Sequence, residues 1–163
     1  MPAVPEIVTR AGQPYVAVRT RVTMAGLGGL GAGFAEVLAW LGARGVSPAG
    51  APFFRYNVVD MAGELEVDAG VPVAHATEAG GHLVAGVLPA GRYAALTHTG
   101  DPAGLVEAAK VLLDWAAGQD LKWDMAAGDN GERWGCRLEI YLTDPRQQPD
   151  PAKWETQLAF RLK

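Results

Sequence analysis

The sequence predicts an α+β fold in which one curved antiparallel sheet carries two helices on one face. Three observations predict it. A strand, a helix and two further strands follow one another twice along the 163 residues. Apolar and polar residues alternate in the predicted strands, as they do in antiparallel sheets. Each predicted helix carries a single apolar stripe, which is typical of a helix that covers a sheet.

The first half begins with a strand at Tyr15–Val22, in which valines alternate with alanine and arginines. A glycine-rich joint leads to a helix that ends near Gly42. The apolar stripe of this helix consists of Leu30, Phe34, Val37, Leu38 and Leu41. Two strands follow, FFRYNVVD from Phe53 and ELEVDAGVPV from Glu64, and a short turn joins them.

The second half repeats this order. After a strand at Arg92–Gly100, Asp101 and Pro102 indicate a helix start, because aspartate caps free N–H groups and proline fits the first turn. The helical stripe consists of Leu105, Ala109, Leu112 and Ala116. LKWDM and WGCRLEIYL are predicted strands around a turn at 128–131 (GDNG), and a last strand lies in PDPAKWETQLAFRLK.

Corresponding positions indicate an internal repeat. Trp40 and Trp115 flank the two helical stripes in the same way, and LEV at 65–67 matches LEI at 138–140. We therefore predict one domain over residues 1–163, with a first module at about 12–75 and a second at about 82–163. Two such modules form a pseudo-twofold pair, and the groove between the halves is the natural position for a ligand.

Composition excludes several functions. The chain has 14 Lys and Arg against 18 Asp and Glu, a net charge of −4, and no basic cluster, so direct binding to nucleic acid is not expected. A single cysteine, Cys136, forbids an internal disulfide and a cysteine zinc site, and indicates a reduced, cytoplasmic protein. His75 and His82 have no partner at metal-ligand spacing, so no metal site is expected.

No membrane segment is expected either. The N-terminus, MPAVPEIVTR, lacks the basic and apolar regions of a signal peptide. The apolar stretch Met24–Ala43 contains Glu36 and six glycines, which argues against a membrane-spanning helix.

One motif points to a cofactor. Gly26–Gly31 reads GLGGLG, which matches the G-x-G-x-x-G of dinucleotide-binding folds. The preceding strand carries Arg19 and Arg21, however, whereas the first strand of a doubly wound sheet is apolar on both faces. In a chain with 21 glycines the motif predicts a flexible joint. No cofactor is therefore expected, and a dinucleotide-binding protein is a distant alternative.

The strand at 135–142 places a carboxylate among aromatic residues. Its apolar face, predicted to lie under the helices, consists of Cys136, Leu138, Ile140 and Leu142. Its other face, predicted to line the groove, consists of Arg137, Glu139 and Tyr141. Glu139 beside aromatic rings suits a delocalised cation, and a raised pKa would also suit it as a general base that deprotonates water. The alternative is an ion pair between Glu139 and Arg137.

Glu66 matches Glu139 in the repeat. It shares a strand face with Glu64 and Asp68, so Glu66 and Glu139 could form a carboxylate pair in the groove. The run of acids more simply indicates a solvated hairpin.

Four aromatic residues and a histidine are further candidates for ligand contact. Tyr56 shares a strand face with Phe54, which suits a core as well as a ligand site. Trp123 and Trp134 flank the second hairpin and either line the groove or cover an edge strand. His98 stands between a strand and a helix, where it is either a general acid or a hydrogen-bond partner of the turn.

Five segments carry a family resemblance: Trp40–Tyr56, Glu64–Val73, Leu88–Gly100, Leu138–Pro145 and Pro149–Phe160. In these segments the chain resembles the GyrI-like effector-binding domain, the drug-binding module of several bacterial multidrug-sensing transcription regulators, which also occurs alone. The segments span nearly the whole chain in the order of the family.

The resemblance implies a pseudo-twofold pair of modules with a ligand groove between them. It implies that Glu139, followed by Tyr141 in an E-x-Y strand, faces bound lipophilic cations, and that Tyr56 lies near the ligand. Regulators of this type also carry a helix-turn-helix domain. Because the first predicted strand begins near Tyr15, we expect a stand-alone domain of bacterial type.

Some stand-alone relatives hydrolyse cyclopropane-bearing alkylating toxins, and others sequester drugs or influence DNA gyrase. We therefore expect binding of lipophilic, often cationic or aromatic small molecules around Glu139, with hydrolysis of cyclopropane-bearing compounds as a further activity. The alternatives are a non-catalytic drug-sequestering or sensing protein and a gyrase-modulating protein with a protein partner.

Overall fold

The computed structural model of the chain describes residues 4–60, 62–129 and 131–163, so Asn130 of the predicted GDNG turn lies outside the described residues. Within these ranges the backbone forms two α-helices and one sheet of ten strands. The strands of the first half of the chain are β1 Glu6–Arg10, β2 Gln13–Val22, β3 Phe53–Val59 and β4 Leu65–Pro72. Those of the second half are β5 Leu83–Leu88, β6 Gly91–Thr99, β7 Met125–Gly128, β8 Gly131–Trp134, β9 Arg137–Tyr141 and β10 Glu155–Arg161.

The helices are α1 at Ala32–Ala43 and α2 at Leu105–Gly118. A short 3-10 turn at Pro102–Gly104 leads into α2, and the Asp101 carboxylate accepts a hydrogen bond from the N–H of Ala103 at 2.8 Å. Asp101 therefore caps the 3-10 turn that precedes the helix, whereas α2 itself begins at Leu105 without a side-chain cap.

The order of the strands shows the pseudo-twofold arrangement. The sheet runs β1-β6-β10-β9-β3-β4-β2-β5, with the β7–β8 hairpin attached to β3 through β8. Strands β2 and β6, which precede the two helices, each lie second from an edge, and β9 and β3 meet in the middle. The α+β fold predicted from the sequence is confirmed.

The two halves exchange their edge strands. β1, from the start of the chain, pairs with β6 of the second half. β5, which begins at Leu83, pairs with β2 of the first half. By pairing, the first half therefore extends to Leu88, beyond the predicted limit near residue 75.

The predicted match between residues 65–67 and 138–140 is wrong. Leu65–Val67 lie in β4, the second strand from the centre, whereas Leu138–Ile140 lie in the central strand β9. The strand that corresponds to β9 is β3, and Glu139 pairs directly with Phe54 across the middle of the sheet. The similar tripeptides thus lie in strands that do not correspond to each other in the two halves.

Both faces of the sheet are buried, each by a different means. On one face α1 packs over Val16, Val71 and neighbouring residues. On the same face α2 packs over Leu96, Leu158 and neighbouring residues. On the other face the sheet curls until strand residues from both halves touch. This cluster contains no helix residue, and we call it the strand-only cluster. It consists of Tyr15, Ala17, Phe53, Leu88, Tyr93, Leu138, Ile140 and Ala159 from the strands and Cys136, which precedes β9.

This curl reverses the predicted faces of β9. Leu138, Ile140 and the preceding Cys136 lie in the strand-only cluster, not under the helices. Leu142 lies beyond β9 and is 49% exposed. Glu139 and Tyr141, which alternate with these residues, lie on the helix-bearing face.

The glycine-rich segment has none of the surroundings of a dinucleotide site. Met24–Gly29 forms a 3-10 turn between β2 and α1. Strand β2 pairs antiparallel with β4 and with β5, and every strand pair in the described ranges is antiparallel. A dinucleotide-binding unit requires parallel strands around its first helix, so this alternative is overturned.

Candidate functional site

Glu139 lies in the centre of the sheet, on β9, where β9 meets β3. The hydroxyl of Tyr141, two residues along the same face, donates a hydrogen bond to Oε1 of Glu139 at 2.7 Å. Tyr56 lies on the same face of β3, close enough for its hydroxyl and Glu139 to shift each other's pKa. One phenol is therefore hydrogen-bonded to this half-buried carboxylate, and a second lies near it.

Burial has the largest effect on the pKa of Glu139. It raises the pKa of Glu139 above the usual 4.5, and the hydrogen bond from Tyr141, the nearby hydroxyl of Tyr56 and the charge of Arg137 oppose that rise. Burial, together with the negative charge of Glu139, also raises the pKa values of Tyr141 and Tyr56. Both phenols therefore remain protonated donors at neutral pH.

Aromatic rings pack against one another beside Glu139. Phe34 of α1 stacks on Phe54 of β3 with ring centroids 5.0 Å apart and meets the ring of Tyr141 at 5.9 Å. Phe54 meets Tyr141 edge to face at 5.3 Å and Tyr56 at 6.4 Å. Phe34, Phe54, Tyr56 and Tyr141 form what we call the aromatic cluster, and the structure brings the predicted residues Phe54, Tyr56, Glu139 and Tyr141 together in it.

The predicted alternative of an ion pair between Glu139 and Arg137 is not observed. No cationic nitrogen of a described residue lies within 4.0 Å of the Glu139 carboxylate. The guanidinium of Arg137 instead lies over two rings, 4.4 Å from the centroid of Phe160 and 4.8 Å from that of Trp134.

Trp123 and Trp134 lie beside this arginine, at the second-half side of the cluster. Their rings are 5.6 Å apart, and both pack against Phe160. Trp134 is buried in the core beneath α2, and Trp123 is half-buried at its margin. The guanidinium of Arg137, which shares a face of β9 with Glu139, lies over the ring of Trp134.

His98 lies on β6, two strands from Tyr141 in the register. Its Nε2 atom is 3.1 Å from the carbonyl oxygen of Asp101, and the ring packs against Gly104. The structure thus gives His98 a contact with the turn that leads into α2, which was the alternative to a general acid.

Glu66 does not share the groove. It lies on the opposite face of the sheet from Glu139, 3.3 Å from Arg21 and 3.9 Å from Arg19. The expected solvated hairpin is also incomplete, because Asp68 is fully buried and accepts hydrogen bonds from Tyr15 and Arg19. The arginines that alternate along β2 lie opposite these acids in the register.

Sequence reasoning missed Phe34 and the surroundings of Arg137. Phe34 was counted only in the apolar stripe of α1, because a helical stripe does not distinguish core residues from those that face a groove. Arg137 was treated only as a partner for Glu139. Its alternation correctly predicts that it shares a face of β9 with Glu139, but the two rings beneath it come from other parts of the chain.

Neither helix in the described part of the chain is long and apolar enough to cross a membrane. Among the same residues, His, Cys, Asp and Glu side chains do not come together in any group of three that could hold a metal ion.

A curled antiparallel sheet with two helices on one face, and a carboxylate among aromatic rings where its halves meet, defines a class of small α+β ligand-binding domains. The chain belongs to the GyrI-like family: the model of the GyrI-like small molecule binding domain matches residues 3–163. No curated protein matches the chain in sequence.

Solved structures share this fold at low sequence identity. The EcmrR chain in a DNA complex matches with a TM-score of 0.73 and 15% identity over 99% of this chain. This chain spans only 57% of that EcmrR chain. The separate C-terminal domain of EcmrR matches with the same TM-score and identity over 100% of this chain and 99% of its own.

Two further structures extend the comparison. SAV2435, solved with bound tetraphenylphosphonium, matches with a TM-score of 0.67 and 8% identity over 98% of this chain and 94% of its own. A hydrolase from Listeria innocua matches with a TM-score of 0.57 and 16% identity over 98% and 91%.

Proposed function

We propose that this domain binds flat or globular lipophilic cations in the groove between its halves, with Glu139 at the floor. One observation carries the proposal: a half-buried carboxylate lies among aromatic rings, and no cationic side chain of the described residues is within 4.0 Å of it. Burial of an unpaired carboxylate is unfavourable, and a bound cation would remove that cost.

The aromatic cluster supplies the remainder of the binding energy. Ring faces attract a delocalised cation and provide apolar area, while Glu139 neutralises its charge. Because the hydroxyl of Tyr141 holds the carboxylate by a hydrogen bond, the carboxylate is oriented before a ligand arrives.

Phe34 is the helix residue of the aromatic cluster. Its ring lies 5.0 Å from that of Phe54 and 5.9 Å from that of Tyr141, whose hydroxyl is hydrogen-bonded to Glu139. We propose that an aromatic ligand displaces this ring and replaces its contacts, so that the empty domain keeps its apolar floor covered. The tetraphenylphosphonium bound by SAV2435, which shares this fold, supports this ligand chemistry.

The test is the affinity of the purified domain for tetraphenylphosphonium, measured by calorimetry. We expect Glu139→Gln to weaken binding about tenfold or more, since it removes a close opposite charge from a partly desolvated site. Glu155→Gln makes the same change of net charge at an exposed position on β10 and should leave the affinity unchanged. Equal affinity of Glu139→Gln and the wild type would refute the proposed role of this carboxylate.

A second candidate function is hydrolysis of cyclopropane-bearing alkylating compounds. Two features favour it: the burial of Glu139, which raises its pKa and so suits it to proton transfer, and the fold shared with the hydrolase from Listeria innocua. In this reaction Glu139 takes a proton from water, and the water oxygen bonds to a cyclopropane carbon. The carbon–carbon bond breaks, its electrons pass into the conjugated carbonyl, and the carbonyl oxygen takes up a proton.

Mass spectrometry separates the two functions. A cyclopropane-bearing indole alkylator is incubated with the wild type and with Glu139→Gln. A water adduct that accumulates over many turnovers with the wild type alone indicates hydrolysis. Unchanged compound that co-elutes with the wild type indicates binding only.

A further inference from the structure

A positive charge lies next to the proposed cation site. Arg137 and Glu139 point to the same face of β9, and two residues of strand separate their Cα atoms by about 7 Å. The guanidinium rests on the rings of Phe160 and Trp134, at 4.4 and 4.8 Å from their centroids. The groove floor therefore presents an acid and a base side by side on the same strand.

Arg137 lacks the partner that a half-buried charge usually has. In the described ranges no carboxylate oxygen lies within 4.0 Å of its guanidinium. Glu132, the acid that acts most strongly on it, is held by the indole N–H of Trp134 at 3.3 Å. Burial also lowers the pKa of Arg137, so the site disfavours the charge that it carries.

A fixed guanidinium of this kind is suited to oxygen anions. Two aromatic rings hold its plane, and its N–H groups can donate two parallel hydrogen bonds to a carboxylate. The side chain is half-buried, so part of it remains accessible to a molecule in the groove. A lysine would offer charge at this position without the planar pair of donors.

We infer that Arg137 determines ligand specificity by receiving a carboxylate on the ligand, so that the preferred ligands are aromatic cations with a carboxylate about 7 Å from the positive charge. This inference rests on the proposed function, because it takes Glu139 as the site for the cationic end. It narrows the ligand class from lipophilic cations in general to zwitterionic aromatic compounds.

Three probes of one shape test it: tetraphenylphosphonium, (4-carboxyphenyl)triphenylphosphonium and the methyl ester of the latter. The acid and its ester differ in one negative charge, which lies one benzene ring away from phosphorus. We expect the wild type to bind the acid on the order of tenfold more tightly than the ester, because charge-assisted hydrogen bonds strengthen binding by this much. This comparison needs no variant and so does not depend on the folding of a mutant.

Variants then test whether Arg137 causes the preference for the acid over the ester. Arg137→Gln should bind the acid and the ester equally, and Arg137→Lys should keep only part of the preference. Arg133→Gln removes an exposed arginine from β8 and should retain the full preference. Equal binding of acid and ester by the wild type, or a preference that survives in Arg137→Gln, overturns the inference.

The outcomes also separate this inference from the proposed function. If tetraphenylphosphonium binds in a Glu139-dependent manner and the carboxylate adds nothing, only the role of Arg137 fails. If tetraphenylphosphonium does not bind but the acid binds in an Arg137-dependent manner, the cation site fails and the arginine site stands.

Discussion

The buried negative charge of Glu139 lowers the stability of the folded domain when no ligand is bound. Its carboxylate is removed from water, and burial outweighs the hydrogen bond from Tyr141 and the effect of Tyr56, so its pKa is raised. The folded state then holds the proton more tightly than the unfolded state does. Stability must therefore fall as the pH rises from about 4.5 through the pKa of the folded state, and the loss stays constant above it.

Glu139→Gln should accordingly stabilise the domain at neutral pH. The amide oxygen still accepts the hydrogen bond from Tyr141, and no charge is buried. We expect a melting temperature above that of the wild type at pH 7, by roughly 2–4 °C for each kcal/mol recovered. The difference should vanish below pH 4.5, where the wild-type glutamate is also protonated. A lower melting temperature for Glu139→Gln at pH 7 would contradict this account.

Ionisation of Glu139 should also control the affinity for cations, but in the opposite direction. Stability falls as the pH rises, whereas the affinity rises. Only the ionised carboxylate attracts a cation, so affinity for tetraphenylphosphonium should fall on acidification. Because the pKa of Glu139 is raised, the fall should begin at a higher pH than for an ordinary glutamate. Calorimetry over a pH series measures it, and Glu139→Gln should show no such fall between pH 4 and 8.

At the scale of elements, the close packing of α1 on the sheet depends on one glycine. A Cβ atom at Gly33 would lie 2.9 Å from the Cβ of Ala69 on β4 and 3.4 Å from that of Val18 on β2. The absence of a side chain thus lets the N-terminal turn of α1 approach the sheet closely, and it places the adjacent Phe34 over Phe54.

Gly33→Ala should therefore move α1 and destabilise the domain by about 1 kcal/mol or more, since two buried methyl groups cannot approach so closely. The affinity for tetraphenylphosphonium should change with it, because Phe34 shifts. Gly42→Ala is the matched control on the same helix: its Cβ would have no neighbour within 4 Å, and alanine favours helix. We expect Gly42→Ala to stabilise by roughly 0.5 kcal/mol in denaturant unfolding.

The periodicity of apolar residues predicted the helices and strands well, but it predicted less well what packs against each of their faces. The alternation in β9 correctly separated Leu138 from Glu139, because neighbouring side chains of a strand point to opposite faces. It could not tell which face the helices cover, since curling of the sheet buries the other face as well. The pairing of Phe54 with Glu139 depends on contacts between distant parts of the chain, and similar tripeptides at 65–67 and 138–140 gave a false register.

At the scale of the whole molecule, the strand-only cluster joins the two halves. Tyr15 and Phe53 come from the first half, and Tyr93 and Leu138 from the second. These side chains are nearly or fully buried, so neither half can expose its share of the cluster without exposing that of the other half. The chain should therefore unfold in one transition.

Leu138→Ala tests this coupling. Leu138 is fully buried, and its truncation should destabilise the domain by about 2–5 kcal/mol, the range for large-to-small changes in a core. Unfolding followed by tryptophan fluorescence and by circular dichroism should still coincide. Leu142→Ala, at a position 49% exposed, should change stability by less than about 0.5 kcal/mol. Separate transitions for the two signals would show that the halves unfold independently.

The exchange of edge strands sets the order in which the domain can be completed during synthesis. Strand β1 leaves the ribosome first, yet its partner is β6, where Glu6 pairs with Ala95. At about 5–20 residues per second, translation delivers that partner several seconds later. Until then β1 has no partner strand. Once β6 has been made, its edge stays open to pairing with another chain until β1 binds to it. β1 is thus made before β6 but joins the sheet only after it, and its pairing closes this edge of the sheet.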